Sequence, residues 1–259
     1  MKKMKLILIG MAFLSFISLN SISAQTGKEI AFKVYNRPTA KDGESDMKMT
    51  LINKKGGKRV RNIHQFYKDY GSVEKKILFF KSPADVKNTS FMNWSYDDAN
   101  KDDDQWLYLP ALKKVKRISS SSKDNEFMGS DFTYADMEKR HPDEDVHKLL
   151  KSENMGGENC WVVEATPKDQ DDMYAKKIAW ISKSKLLPMK MDYYDEDGEL
   201  LKTLTINKIE KIGKYWVIAD ETMHNVQKNH KTVILISNMK VDQGLNDSKF
   251  TQRAMKKGL

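Results

Sequence analysis

The sequence predicts a mainly β protein, an antiparallel meander of about ten to twelve strands that closes or half-closes into a barrel. Segments of alternating apolar and polar residues recur at a spacing of roughly 8–14 residues, with hairpin turns between them. No helices alternate with these strands, which argues against a doubly wound α/β fold. An open sheet of that length would curl strongly, and a barrel of that width tends to enclose a ligand cavity.

The first half of the chain opens with a short helix, Gly27 to Val34, which ends before Pro38. Alternation then begins at Met47, and Gly56-Gly57 supplies the positive φ angles that a tight hairpin needs. The strands predicted in this half are, in order, 47–51, 60–67, 73–80, 91–96, 105–109 and 115–118.

The strand pattern breaks between residues 119 and 151 and then resumes. Phe127 to Phe132 is an apolar loop, which we expect to pack across the barrel mouth, and Tyr134 to Arg140 can form a helical turn or two. The strands predicted in the second half are 146–154, 160–165, 175–182, 188–194, 200–209, 215–220, 221–228 and 231–241. A short helix is expected around Thr251 to Lys256.

Residues 1–24 have the three parts of a signal peptide. Lysines lead into an apolar run from Leu6 to Leu19, and small and polar residues then end at Ala24. The run is too short to span a bilayer comfortably and no charged flank follows it, so a retained anchor is the less favoured alternative. No cysteine stands at the cleavage point. We therefore predict a periplasmic protein that is not lipid-anchored.

Residues 25–259 are predicted to form a single domain, because no repeat or linker interrupts them. They contain no second apolar run of about 18 residues, so the mature chain is expected to lack a transmembrane segment. Cys160 is the only cysteine and lies in an apolar run. A buried, inert thiol is favoured there over a nucleophile.

The residues give little sign of catalysis. The five histidines form no pair at metal-ligand spacing on a helix, and there is no nucleophile elbow, phosphate loop or Cys-x-x-Cys. A zinc site at His224 and His230 is less favoured than a chance pairing, and a calcium site at Asp97 to Asp104 is less favoured than a solvated hairpin tip. We therefore predict no enzyme, no metal and no cofactor, and a secreted hydrolase is disfavoured.

Aromatic and methionine side chains share faces of several predicted strands. An ordinary core explains any one of them, but flexible methionines beside aromatic rings also suit a pocket that adapts to acyl chains. The predicted lipid-binding cavity consists of Met92, Trp94, Trp106, Tyr108, Trp180, Met191 and Tyr193.

Basic residues give the whole chain a formal net charge of +9, or about +6 without the lysines of residues 1–24. In an exported protein such charge suits anionic headgroups or acidic protein surfaces better than nucleic acid. Solvated sheet edges are the plainer alternative. One cluster beside Leu112 predicts a partner-docking strip, which comprises Lys113, Lys114, Lys116 and Arg117.

The central motifs bring a family resemblance. The run from Trp94 to Tyr96, an Asp-rich loop, QWLYLPALKKVKRIS and FMGSDFTYADM resemble the LolA-like outer membrane lipoprotein-sorting protein family, as do KVYNRP, MTLINKKGGKRVR and FTQRAMKKG. The resemblance covers nearly the whole mature chain. It implies an incompletely closed antiparallel β-barrel, lidded by short helices, with an apolar cavity for lipid, as in LolA and LolB.

Two functions remain open. The resemblance implies a periplasmic carrier or chaperone that holds acyl chains in the barrel and takes part in outer membrane lipoprotein sorting. Its partners would be a lipid or acylated lipoprotein, with an RND-type exporter or an outer-membrane acceptor. The alternative is an accessory interaction module of an RND-type envelope exporter that binds protein and carries no cargo. Neither function involves nucleic acid.

Overall fold

The computed structural model describes residues 25–259, so the predicted signal peptide lies outside the described residues. Thirteen strands form one antiparallel sheet, which exceeds the expected number by one and confirms the predicted fold class. The strands are β1 (Asp42–Ile52), β2 (Lys58–Asp69), β3 (Val73–Ser82), β4 (Ser90–Tyr96), β5 (Asp104–Leu109), β6 (Lys114–Arg117), β7 (Asp145–Met155), β8 (Glu158–Pro167), β9 (Lys176–Ser182), β10 (Pro188–Tyr194), β11 (Leu200–Ile212), β12 (Tyr215–Asn225) and β13 (His230–Val241).

The strands follow the chain order except at one junction, where β1 pairs with β13. The sheet therefore ends at β6 on one side and at β7 on the other, and no hydrogen-bonded pairing joins these two edges. Residues 118–144 connect them, and we call this connection the plug segment. Its regular structure consists of short 3₁₀ turns, among them Phe127–Gly129 and Ala135–Met137.

The plug segment shows how strongly the sheet curves. The side chain of Gln105 in β5 donates to the carbonyl of Tyr134 at 2.8 Å, and Lys202 in β11 contacts Asp136 at 2.6 Å. In a flat sheet β5 and β11 would be about 34 Å apart, at about 4.8 Å per strand. Since their partners are two residues apart in sequence, the sheet must wrap around the plug segment.

Helix α1 (Gly27–Tyr35) lies against the β7 side of the opening. Thr26 and Glu29 form a capping box that starts the helix. A Cβ on Gly27 would lie 2.7 Å from the backbone of β7, so this glycine permits direct contact between helix and strand. At the other end of the helix, the hydroxyl of Tyr35 donates to Asp97, beyond β4, at 2.7 Å. The helix thus spans the gap that hydrogen bonding leaves open.

One strand prediction was wrong. The segments 215–220 and 221–228 are not two strands but one, β12, because no turn separates Asp220 from Glu221. The pairing with β11 is irregular here, with one extra residue in each strand, Asn207 in β11 and Ala219 in β12. The helix predicted at the end of the chain is confirmed as α2 (Gln252–Lys257), and Cys160 is buried. Across residues 25–259, no helix has the length and apolar character needed to cross a membrane.

Candidate functional site

The concave face of the sheet carries a large apolar cluster that is rich in methionine. Met47, Met49 and Met223 are buried in it, and Met128, Met137 and Met191 pack against it. These side chains come from β1, β10 and β12 and from the plug segment. A thioether on an unbranched chain adapts to irregular neighbours, so this face can accommodate packing partners of more than one shape.

The centre of the plug segment is a closed loop from Phe127 to Phe132. The amide of Phe127 donates to the carbonyl of Phe132 at 2.7 Å, and the hydroxyl of Ser130 donates to the Phe127 carbonyl at 2.7 Å. Met128 and Gly129 have φ values of 53° and 71°, a left-handed pair that is costly at the methionine. Arg61, on β2, donates to the Met128 carbonyl. These contacts give the FMGSDF motif a physical role that the sequence left unassigned.

Both phenylalanines of this loop enter the concave cluster. The ring of Phe127 is fully buried and lies 4.9 Å from Phe91 and 5.5 Å from Tyr134, edge to face. Phe132 is also buried. The loop therefore occupies the interior that an acyl chain would need.

Polar contacts hold the loop to β13. Asp131, with a side chain 4% exposed, lies 2.8 Å from Nδ1 of His230 and accepts a hydrogen bond from the Thr232 hydroxyl at 2.7 Å. The amide of Asp131 in turn donates to the Thr232 hydroxyl oxygen at 3.0 Å. The loop is thus tied to the sheet by reversible bonds and by no covalent link.

A second anchor joins the plug segment to β11. Lys202 and Asp136 form an ion pair with side chains only 2% and 6% exposed. Asp136 also accepts from the hydroxyl of Tyr174, and burial raises the pKa of that hydroxyl. The Lys202 ammonium donates further to the Asp131 carbonyl at 3.1 Å. Such a pair offsets its desolvation only while both partners remain.

Two carboxyl groups near the interior have raised pKa values. Burial raises the pKa of Glu138 to about 7, although Lys123 at 2.7 Å opposes the shift. Burial also raises the pKa of Glu221 to about 7, with weak opposition from Lys76. Among residues 25–259, no cation lies within ion-pair distance of Glu221. The concave face therefore carries a carboxyl group that takes up a proton near neutral pH.

A groove of about 770 Å³ runs beside α1 at the mouth of the barrel. Its wall is partly apolar, through Phe32, Pro38 and Leu186, and partly basic, through Lys33 and Arg37. Burial lowers the pKa of Arg37, and Glu74 opposes this shift. The groove thus combines an apolar wall with two cations and one carboxylate, that of Glu29.

The outer face carries a second cover, which we call the C-terminal strap, residues 243–259. Phe250 and Met255 of the strap are buried against Phe66, Phe79 and Met92. A groove of about 340 Å³ remains between the strap and the sheet, and we call it the outer groove. It is lined by Lys75, Met92, Trp94, Trp106, Asp247, Phe250, Thr251 and Gln252.

The structure does not bring the seven predicted cavity residues together. Met191 packs against the concave cluster, and Tyr193 is part of it. Met92, Trp94, Trp106 and Tyr108 belong instead to the cluster under the C-terminal strap. They alternate along β4 and β5 with Phe91 and Leu107, which face the concave side.

Trp180 also lies on the outer side. Its neighbours Ala179 and Ile181 pack with α1 on the concave face, so alternation directs Trp180 the other way. Its indole donates to Glu153, and the Lys190 ammonium lies 4.4 Å from the centre of its ring.

The predicted docking strip lies at the free edge of the sheet, on and just before β6. Lys113, Lys114 and Lys116 are exposed, and Leu112 is 53% exposed. Arg117 differs, because its guanidinium binds Asp104, with Nε at 2.9 Å from the carboxylate. The strip thus has three lysines outside any ion pair formed among residues 25–259.

No metal centre emerges from the described part of the chain, where no group of three or more His, Cys, Asp or Glu side chains could hold an ion. His224 and His230 do not converge. His230 is engaged by Asp131, while His224 pairs with Lys231 across the sheet and follows the concave Met223, so it faces outward.

The comparisons with known proteins agree with this architecture. A family model described as an uncharacterized protein matches residues 72–257. A DUF1329 family protein from Desulfovibrio piger is 34% identical, with 88% of this chain and 97% of that chain covered and a TM-score of 0.84. A protein domain from Vibrio parahaemolyticus, named for outer membrane lipoprotein sorting, is 35% identical, with coverages of 89% and 98% and a TM-score of 0.84.

A LolA superfamily protein from Nitrosomonas europaea shares the fold. Its TM-score is 0.67 at 19% identity, with 89% of this chain and 100% of that chain covered. No curated protein matches the chain.

Proposed function

Because the chain belongs to the LolA-like outer membrane lipoprotein-sorting protein family, we propose that it works in the periplasm as a non-enzymatic carrier of a lipid or lipoprotein acyl chain. The acyl chain would lie against the concave face, which includes Met191 and Tyr193. The observation that carries this proposal is the loop from Phe127 to Phe132, which fills the interior but is held there only by reversible contacts.

The rings of Phe127 and Phe132 lie in the space that an acyl chain would occupy. Displacing Phe127 and Phe132 would expose the concave cluster, and an acyl chain would restore its burial. Each buried methylene contributes about 0.8 kcal/mol, so a chain of about a dozen methylenes could offset the loss of the loop's packing. Binding would therefore exchange one apolar occupant for another.

An engineered disulfide between the loop and β13 tests this proposal. The amide and carboxylate of Asp131 both lie within 3.0 Å of the Thr232 hydroxyl. We therefore choose an Asp131→Cys, Thr232→Cys pair to join the loop to β13 by a disulfide, with Cys160→Ala to remove the native thiol. We expect the reduced protein to bind a fluorescent fatty acid on the concave face and the oxidised protein to lose that binding.

The oxidised and reduced forms are the same polypeptide, so each is the control for the other. Binding at the concave face that persists after oxidation would contradict cargo exchange at the loop. Lipid extraction and mass spectrometry of protein purified from the periplasm provide a second test of the carrier proposal. Persistent absence of bound lipid, together with no displacement of the fatty acid, would reject the carrier.

The free edge at β6 favours a second candidate, an accessory module that binds an RND-type exporter without carrying cargo. Exposed lysines beside exposed Leu112 suit an acidic protein partner. The matching test is charge reversal at Lys113, Lys114 and Lys116, with Arg117 kept because it is paired with Asp104. If cross-linking in membranes captures the same partner after reversal, the strip is only a solvated edge.

A further inference from the structure

The outer groove lies on the face of the sheet that the proposed carrier does not use. Its floor is formed by the rings of Trp94 and Trp106, which meet edge to face at 5.1 Å, and by Met92. Phe250 of the C-terminal strap closes one side. The volume of about 340 Å³ is at the small end of the range for ligand pockets, about 300–1,000 Å³.

One cation at this groove lacks an anion. The Lys75 ammonium lies 3.7 Å from the centre of the Trp94 ring and 4.9 Å from that of Tyr70. Among residues 25–259, no carboxylate lies within ion-pair distance of it, because the nearby Asp247 binds Lys68 at 2.7 Å and the Tyr70 hydroxyl at 2.8 Å. Burial lowers the pKa of Lys75, and Asp247 opposes this shift.

A second donor at the groove is also unmatched. The indole Nε1 of Trp94 is buried and has no hydrogen-bond acceptor within the described residues. Buried donors are normally paired, and an unpaired one calls for an explanation. Lys75 and Trp94 thus carry two donors without a partner among the described residues, beside an apolar floor. The carboxylate in the lining, that of Asp247, is already bound by Lys68 and Tyr70.

We infer that the outer groove is a binding site for a single-chain amphiphile with a carboxylate head, such as a free long-chain fatty acid. The carboxylate accepts from the Lys75 ammonium and, after a small rotation of the buried indole, from Trp94 Nε1, and the acyl chain lies along Met92, Trp106 and Phe250. An uncharged chain would leave both donors unmatched, and a cationic head would meet Lys75 as a like charge. The charge of the groove therefore selects the head, and its floor selects the chain.

The experiment maps where laurate binds. A twelve-carbon fatty acid that carries a diazirine is cross-linked to the delipidated full-length protein, and the attached peptides are identified by mass spectrometry. We expect labels on peptides that contain Met92 to Trp106 and Phe250 to Gln252. Labels confined to the concave face would overturn the inference.

Substitutions then distinguish the contribution of the carboxylate head to the affinity from that of the acyl chain. In Lys75→Met we expect laurate affinity to fall about tenfold, as for a lost charge-assisted contact, and dodecanol affinity to stay within about twofold. Trp94→Phe keeps the ring and removes one donor, so a smaller loss for laurate alone is expected. Lys48→Met removes an exposed lysine from the same side of the sheet and should change neither ligand. Equal losses for laurate and dodecanol in Lys75→Met would reject a carboxylate site.

This site is independent of the proposed carrier. In the Asp131→Cys, Thr232→Cys, Cys160→Ala protein, oxidation should abolish concave-face labels and leave the labels around Trp94 and Phe250 unchanged. If the outer labels disappear with the concave ones, the outer groove is not a separate site. Circular dichroism and urea unfolding of each variant establish that the fold is retained.

Discussion

The plug segment and the C-terminal strap cover the two faces of one sheet by different means. The plug segment combines buried rings with buried polar anchors, the Lys202–Asp136 pair and the Asp131 contacts to β13. The strap relies on Phe250 and Met255, which are 1% and 0% exposed, while its ion pair through Asp247 is largely solvated. Both covers bury apolar surface, and a buried carboxylate holds each of them. The strap is held through its backbone, because the Asp42 side chain on β1 accepts from the amides of Gln243 and Leu245 at 2.7 and 3.0 Å. Only the plug segment contributes desolvated charged side chains of its own.

This difference indicates which of the two covers is more easily displaced from the sheet. A buried ion pair adds little net stability over an apolar replacement, since its attraction mainly offsets desolvation. Water or a polar ligand group can satisfy its members once the plug segment lifts. The anchors of the strap have no such substitute, because Phe250 and Met255 would be exposed to water. Under the proposed carrier function, the plug segment is therefore the cover that cargo would displace.

The largest effect is expected at Lys202. Replacing it with methionine leaves the Asp136 carboxylate buried without its cation, and we expect the free energy of unfolding to fall by about 3–5 kcal/mol. In the double variant Lys202→Met, Asp136→Asn most of this loss should be recovered, because the amide oxygen can still accept from Tyr174. Urea unfolding measures both. A single variant as stable as the wild type would show that the pair does not anchor the plug segment.

Phe250→Ala removes the matching anchor of the strap. The side chain is 1% exposed, so we expect a loss of about 3 kcal/mol, at the low end for such truncations because the strap can partly collapse. Replacing the half-buried neighbour Lys249 with alanine should cost far less, although its ammonium lies over Phe66. Equal losses in the two variants would mean that the strap is not held by its apolar side chain.

The two faces should also respond to pH with opposite signs. On the concave face, burial raises the pKa of Glu221 to about 7 from an ordinary value of 4.5. The folded protein then holds a proton that the unfolded chain has lost, so the free energy of unfolding falls as pH rises from about 4.5 to 7. Glu221→Gln should reduce this fall by about 3 kcal/mol.

The pH dependence due to Glu221 can be compared with that due to two other carboxyl groups, Glu138 and Asp247. Glu138→Gln should also weaken the slope, and its amide oxygen can still accept from Lys123. On the outer face, Lys68 lowers the pKa of Asp247. Asp247 therefore contributes stability above the ordinary aspartate pKa that is lost as pH falls through its lower folded value. A Glu221→Gln protein with the wild-type slope between pH 4.5 and 7 would refute the assignment.

The strands could be predicted from the sequence, but the choice of face could not. In β4 and β5 both faces are apolar, because the concave cluster takes Phe91 and Leu107 while the strap covers Met92 and Trp106. Alternation shows which residues share a face and cannot show which face curves inward. Met92 is 1% exposed although it points away from the barrel interior. That is why four predicted cavity residues lie in the outer cluster.

The anchors of the plug segment could not be predicted either. Asp131 meets Thr232 and His230, and Asp136 meets Lys202, so each contact joins residues far apart in the chain. The sequence did carry one signal, the polar Ser130 and Asp131 between apolar residues of the FMGSDF motif. Polar residues at such positions are stable only with specific partners, but those partners become visible only when the sheet closes.

The smallest effect is expected at the free edge beside β6. Charge reversal of Lys113, Lys114 and Lys116 should change the free energy of unfolding by less than about 0.5 kcal/mol, because these side chains are exposed and contribute to neither cover. Arg117→Glu should cost more, since it removes the partner of Asp104 and places a second carboxylate beside it. A large loss in the triple lysine variant would mean that the edge is structural. If stability is retained, any change in membrane cross-linking reports partner binding alone.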